Sequence, residues 1–302
     1  VNLAELTGRL RAAGAGPRHE RHLLRLWLDG RPLDTPARGD TRFLPQRLRE
    51  ALPALAAELD RLVTPQSTHP AGDGAERLLV ALADGQSVES VLLPRDGVCV
   101  STQVGCAVGC VFCMTGRGGL LRQLTGGEIV AQVVLARRRR PVRKVVFMGM
   151  GEPAHNLDAV MDAIDLLGTA GGIGHKNLVF STVGDHRVFE RLPRGPVKPA
   201  LALSLHTTRA DLRARLLPRA PRIAPAELVR LSDDYSRATG YPVQYQWTLI
   251  EGVNDTDEEI DAIARLLASH YAVMNLIPYN PVDGAPFTRP ARARAMTMVR
   301  EL

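Results

Sequence analysis

All four cysteines of the chain lie between positions 99 and 113. Cys106, Cys110 and Cys113 form a C-x3-C-x2-C group that runs on into Met114, Thr115 and Gly116, and Cys99 stands just upstream. Three thiolates on one short loop can wrap three corners of an iron–sulfur cube and leave one iron open. An open iron can chelate the amino and carboxylate groups of S-adenosylmethionine. One electron then splits a carbon–sulfur bond to give a 5′-deoxyadenosyl radical, while the protein orients the reacting parts. A structural zinc site is the bland alternative, but it wants a fourth protein ligand that only Cys99 could supply. Disulfides are the weaker alternative, because four cysteines in a chain of this size do not make a staple-dependent secreted scaffold.

The elements that position this group follow from the pattern of apolar residues. Residues 1–63 read as helical: Leu3, Leu6 and Leu10 share a face, Gly14-Ala15-Gly16-Pro17 stops that helix, 22–28 is a short second segment, and Leu48, Leu52, Leu55, Leu59 and Leu62 line a third. Residues 64–74 read as a loop, and 76–82 and 87–93 as two strands joined by an Asp84-Gly85 turn. From Gly97 onward, strand-like runs at 97–104, 144–150, 177–183, 199–206, 242–250 and 271–280 alternate with helix-like runs at 125–140, 157–168, 224–238 and 256–269. Six such units predict a parallel sheet with right-handed crossovers, hence an α/β fold with a partial (β/α)6 barrel behind a small N-terminal helical domain. Function then belongs at the C-terminal ends of the strands, and the cysteine group follows the first of them.

Strand alternation places Cys99, Ser101 and Gln103 on one face of the first barrel strand, toward the interior and the cluster, with Val98, Val100 and Val104 opposite. Ala202, Ser204 and His206 share a face by the same rule, and Ser181 falls on the side of Val179. In Met148-Gly149-Met150-Gly151-Glu152-Pro153 the glycines let the backbone approach a ligand, and Glu152 could hold the charged amino end of S-adenosylmethionine. Asn280, between Pro278-Tyr279 and Pro281, offers a donor and an acceptor to an adenine or ribose edge. The run Arg137-Arg138-Arg139-Arg140 closes a helix, where cations complement the dipole, and Asn254 or Asp255 reads as a helix cap.

Bulk properties set outer limits. A formal net charge of +6 suits a polyanion such as RNA, whereas 4% aromatic residues argue against a broad base-stacking platform. No signal peptide pattern and no apolar run near the roughly 20 residues of a membrane helix is present, so a cytoplasmic protein without a membrane partner is expected.

Taken together, VESVLLP (88–94), CVSTQVGCAVGCVFCMTG (99–116), LT-x2-EI (124–129), FMGMGEP (147–153), STVG (181–184), LSLH (203–206), GVND (252–255) and NLIPYNP (275–281) resemble the RlmN/Cfr family of radical S-adenosylmethionine RNA methyltransferases. The resemblance spans roughly residues 20 to 302 and implies methylation of an adenosine at C2 or C8 in 23S ribosomal RNA, with C2 favoured and some transfer RNAs as further substrates. It implies one [4Fe-4S] cluster on Cys106, Cys110 and Cys113. It assigns Gly151, Glu152, Ser181, Ser204, Leu205, His206 and Asn280 to S-adenosylmethionine, Glu89 as proton acceptor, and Cys99 as the cysteine that resolves a protein–RNA crosslink by attacking a methylated sulfur. The domains expected are an RNA-binding-like helical domain (1–63), a hairpin extension (64–96) and the barrel (97–302). A monomer served by an electron donor such as flavodoxin is expected. The family's methyl-carrying cysteine lies near its C-terminus, and this sequence has no cysteine after Cys113. By the family mechanism, the 302-residue polypeptide alone is expected to cleave S-adenosylmethionine without methylating RNA. The other readings left open are a radical enzyme with a different substrate and a non-catalytic zinc or RNA-binding protein.

Overall fold

The computed structural model describes residues 1–37, 43–282 and 284–302. The chain forms two compact units: one of 1–104, 122–150 and 156–178, the other of 105–121, 151–155 and 179–302.

The first unit opens with helices α1 (Leu3–Ala12), α2 (Pro17–Leu28) and α3 (Gln46–Arg61). Asn2 caps α1 by accepting from the Ala4 N–H (2.8 Å). The leucine stripe read from the sequence is the buried face of α3: Leu48, Leu52, Leu55 and Leu59 are all buried. Strands β1 (Val63–Pro70), β2 (Glu76–Leu82), β3 (Ser87–Leu93) and β4 (Gly97–Cys99) then run antiparallel in sequence order. The loop expected at 64–74 is thus corrected to a strand over most of its length. Pro65 and Pro70 argue against a central strand, but an edge strand tolerates proline, and the pairing of β1 with β2 slips between Pro65 and Ser67.

The strand expected at 97–104 is also shorter than the alternation implied. It stops at Cys99, after which the N–H groups of Thr102 and Gln103 both donate to the Met150 carbonyl (2.8 and 3.2 Å). The strand period therefore cannot be carried through Ser101 and Gln103, and every residue from Val98 to Val104 is buried. Two short strands, β5 (Gln103–Gly105) and β6 (Leu120–Gln123), pair at the neck of the cysteine loop. Helix α4 (Gly126–Arg137) starts with a capping box between Thr125 and Glu128 and is buried from Gly126 to Ala136. Strand β7 (Lys144–Phe147) pairs parallel with β4, and α5 (Leu157–Thr169) follows. The arginine run does more than complement a dipole. Arg137 donates to the carbonyls of Leu28 (3.0 Å) and Gly171 (2.8 Å), Arg138 pairs with Asp60 (2.6 Å), and Arg140 donates to the Gly97 carbonyl (3.1 Å).

The second unit holds β8 (Leu178–Thr182), α6 (His186–Arg191), β9 (Ala200–Ser204), α7 (Ala210–Leu216), α8 (Pro225–Thr239), β10 (Val243–Leu249), α9 (Asp257–Leu267), β11 (Ala272–Pro278) and α10 (Arg292–Glu301). Its strands lie in the order β8-β9-β10-β11, all parallel. With β4 and β7 of the first unit these are the six strands expected of the βα repeat, and the near-continuous apolar runs of β7, β8 and β9 suit strands covered on both faces. The helix cap expected at Asn254 or Asp255 is instead Thr256, whose side chain accepts from the Glu259 N–H. Among the described residues no helix is long and apolar enough to cross a membrane.

Candidate active site

The second unit contains the cysteine loop, residues 105–121, and glycines let it fold on itself. Gly105 has a φ of 78°, and a Cβ there would sit 2.0 Å from the Gly119 carbonyl oxygen. At Gly116 a Cβ would sit 2.7 Å from the Cα of Gly109. Cys106 N–H donates to the Gly119 carbonyl (3.0 Å), Cys113 N–H to the Cys110 carbonyl (3.0 Å), and Val111 N–H to the Leu216 carbonyl (3.0 Å) at the end of α7. Val108 is buried with Leu212, Leu216, Leu217, Val183, Ile250 and Tyr279, and Cys106, Cys110 and Phe112 pack on that cluster. The loop is therefore a rigid scaffold seated on α7.

Burial pushes the Cys106 and Cys110 thiols up, and the neighbouring thiolates and the charge of Glu152 add to the shift. Such thiols lose their protons to solvent only when a strongly positive partner stabilises the thiolates, and an iron centre would be one. Among the described residues no three His, Cys, Asp or Glu side chains converge closely enough to hold a single ion.

Around the loop stand three polar groups. Glu152 is 4% exposed and accepts from the backbone N–H of Val183 (2.9 Å) and Ala154 (3.1 Å). Burial raises its carboxyl, against the pull of Thr182 and of those two N–H groups. It follows Gly151, whose φ of 105° is open to glycine. His206 is buried in an edge-to-face contact with Phe112 (centroids 5.0 Å apart). Its Nδ1 accepts from the Thr248 N–H (3.0 Å), which leaves the ring proton on Nε2. Burial first, and the charge of Arg213 second, push its pKa down to about 3, so the ring is neutral. Strand β9 ends at Ser204 and His206 has a φ of 62°, so this turn, not strand alternation, sets the direction of the imidazole. Arg213, on α7, is the third group; its charge acts on Cys110 and Glu152.

The remaining residues expected at this site differ in setting. Ser181 is buried on β8 opposite Ala202. Ser204 lies opposite Gln246 at the end of β9, and Leu205 is fully buried with its N–H on the Gln246 carbonyl (3.1 Å). Asn280 is exposed and its amide oxygen already accepts from Arg289, so its free capacity is the NH2 group.

Glu89 and Cys99 belong to the first unit. Glu89 is clamped by its backbone: its carbonyl accepts from Ser101 Oγ (2.5 Å) and its N–H faces Met150 Sδ (3.4 Å), while the half-exposed carboxylate pairs with Arg77 (3.1 Å). Buried Gln132 fixes Ser101 in turn, accepting from its N–H and donating to its carbonyl (2.9 Å each). Cys99 lies between Val91 and Val146 in register, and burial pushes its thiol up to about 12.

Sequence reasoning missed Arg213, Gln132 and the role of Asn254. Asn254 is fully buried and donates to the carbonyls of His206 and Thr248 (2.7 Å each) while accepting from the Ile250 N–H (2.8 Å). It is the strut of the His206 turn, and its only sequence signal was its place in GVND.

Comparison with known proteins fits this geometry. The radical SAM superfamily model matches residues 100–267, more than half of the chain. A solved radical SAM methyltransferase from Sphaerobacter thermophilus is 36% identical, with a TM-score of 0.83 over 100% of this chain and 90% of that one. The chain belongs to the radical SAM methyltransferases. Curated relatives of this radical SAM enzyme include proteins named "Probable RNA methyltransferase" from Thiobacillus denitrificans, 70% identical over 100% of this chain and 83% of its own length, and from Azoarcus sp., 69% identical over 100% and 87%. The superfamily uses a [4Fe-4S] cluster and S-adenosylmethionine, and the three-thiol loop beside a buried carboxylate suits both.

Proposed function

We propose that this enzyme methylates an adenosine of RNA, at C2 in preference to C8, with 23S ribosomal RNA as the main substrate and transfer RNA as a second. The observation that carries the proposal is the cysteine loop locked on α7 with Glu152 buried beside it, on a chain 70% identical to a protein named "Probable RNA methyltransferase". Cys106, Cys110 and Cys113 would hold the cluster. Glu152 would accept the ammonium of S-adenosylmethionine, with Gly151 giving backbone access, and Ser181, Ser204, Leu205, His206 and Asn280 would frame the rest.

When bound, the cluster and S-adenosylmethionine supply one-electron chemistry that can activate an unreactive C–H bond. Glu89, held by Ser101 and Met150 and partly open to solvent, would take a proton from the substrate. Cys99, a neutral thiol in its buried setting, would act as resolving cysteine once a base or the substrate complex draws off its proton. We assign RNA docking to residues 1–63, with 64–96 as an extension and 97–302 as the catalytic barrel, in a cytoplasmic monomer fed by an electron donor such as flavodoxin. The formal net charge of +6 supports an RNA partner.

The test is anaerobic incubation of the natural gene product, reconstituted with iron and sulfide, with S-adenosylmethionine, dithionite and 23S or transfer RNA lacking the modification. Nucleoside mass spectrometry should show 2-methyladenosine. 8-Methyladenosine would move the assignment to C8. 5′-Deoxyadenosine formed without any methylated nucleoside would point to another substrate, and a protein that takes up one zinc and no iron would refute the catalytic reading.

A further inference from the structure

Arg213 is a cation in a place where cations are costly. Its side chain lies on α7 at 4% exposure, among the residues that seat the cysteine loop. Its Nη2 donates to the carbonyls of Val183 and Ser204 (3.2 Å to the latter), and its Nε–H has no hydrogen-bond partner. None of these hydrogen bonds neutralises its charge. Buried charges are as a rule paired, because an isolated one loses several kcal/mol of hydration. The opposite charges that act on Arg213 are those of Cys110 and Glu152, and its own charge acts on the neutral ring of His206. Neutral thiols would leave Cys110 without its share of that compensation. Thiolates around a cluster would supply it.

We infer that Arg213 is the built-in counter-charge of the iron–sulfur cluster and sets its reduction potential. This rests on the proposed cluster site. Adding an electron to a thiolate-held cluster makes the site one charge more negative. A fixed cation in a water-poor surrounding lowers the energy of that reduced form and so raises the potential. Arg213 also ties the loop's seat to the ends of β8 and β9 through Val183 and Ser204, so its charge is held at a fixed place relative to the cysteines. Arg213 in this role is a positioning residue: it acts on the cluster's electron affinity and leaves the reacting atoms to others.

The experiment is a potentiometric titration of the reconstituted enzyme, followed by the electron paramagnetic resonance signal of the reduced cluster, for wild type, Arg213→Gln and Arg213→Lys. Removing the charge in Arg213→Gln should lower the reduced-to-oxidised ratio at a given potential at least tenfold, about 59 mV for a one-electron couple. Arg213→Lys keeps the charge but loses the forked hydrogen bonding, so it should hold the potential near wild type while lowering thermal stability. An unchanged potential in an iron-replete Arg213→Gln overturns the inference. If that variant does not fold or load iron, Arg213→Met, which removes the charge but keeps an unbranched stem, decides: a tenfold or larger loss of the reduced form supports the charge role, and a potential near wild type refutes it. Failure of the wild-type protein to bind iron would instead sink the cluster reading on which this rests.

Discussion

Replacing Asn254 with alanine is expected to unfold the second unit at markedly lower denaturant. The side chain is fully buried and serves three backbone groups: the carbonyls of His206 and Thr248 at 2.7 Å and the N–H of Ile250 at 2.8 Å. Alanine leaves those groups without their partner at a position with no solvent exposure. Each stranded group costs about 1–3 kcal/mol, and since the three share one cavity the sum is about 3–6 kcal/mol rather than the full total. Domains are stable by only about 5–15 kcal/mol, so the loss is a large share of what is available. At a urea slope of about 2 kcal/mol per molar, the midpoint should fall by about 1.5–3 M. The two tryptophans make the assay specific, because Trp27 belongs to the first unit and Trp247, whose indole N–H donates to the Asn254 carbonyl (3.1 Å), to the second. In a Trp27→Phe background, Trp247 fluorescence follows the affected unit alone. Asn254→Asp keeps an acceptor for Ile250 but turns a second oxygen against two carbonyls, so it should be no more stable than the alanine variant. A loss below about 1 kcal/mol in Asn254→Ala would refute the strut role, since a single ordinary hydrogen bond is worth that much.

Three further outcomes follow from the same geometry. Gly105→Ala drives a Cβ to within 2.0 Å of the Gly119 carbonyl oxygen, so the loop cannot close and iron after reconstitution should drop to less than half of wild type; full iron content would show that the ribbon can shift. Glu152→Gln removes the charge proposed to face the ammonium of S-adenosylmethionine and should weaken its binding about tenfold to a hundredfold by equilibrium dialysis, whereas unchanged affinity would take Glu152 out of that role. Burial raises the Cys99 thiol from 9.0 to about 12, so folding favours its protonated form; that stability is intact below pH 9.0 and drains away as pH climbs toward 12. Cys99→Val should flatten this alkaline limb in a pH series of melting temperatures, and an unaltered limb would mean that other groups cause it.

The residues that announced themselves in the sequence were those whose work is local. The cysteine spacing, the glycines of 148–153 and the six strand runs need only near neighbours, so spacing and periodicity display them. Edges and turns were harder. β1 read as a loop because Pro65 and Pro70 forbid ladder donors, and only its place at the sheet edge makes those losses harmless. The alternation drawn through 97–104 and 199–206 assumed strands that continue, whereas the chain leaves the sheet at Cys99 and at Ser204. Arg213 gave no sign, and Asn254 read as a helix cap rather than as the strut of the His206 turn. An arginine in ADLRARL looks like one of several on a helix surface, and nothing local shows that Arg213 alone among its neighbours Arg209, Arg215 and Arg219 is buried.

That burial also sets two opposite charges on one residue. Val183, next after β8, donates its N–H to Glu152 (2.9 Å), and its carbonyl accepts from Arg213. Glu152 also accepts from the Ala154 N–H (3.1 Å), and Arg213 donates to the Ser204 carbonyl (3.2 Å). The backbone thereby fixes where the carboxylate presents its charge to a cationic ligand and where the guanidinium presents its own to an anionic cluster. His206, locked through Nδ1 and packed on Phe112, is neutral and adds no charge. Because Glu152 and Arg213 share Val183, their effects on S-adenosylmethionine binding should be coupled. The double variant Arg213→Gln with Glu152→Gln should weaken binding by a factor that differs from the product of the two single losses, because each change disturbs the backbone that positions the other group. Strict additivity of the two affinity losses, measured by equilibrium dialysis on iron-replete protein, would show that the groups act independently.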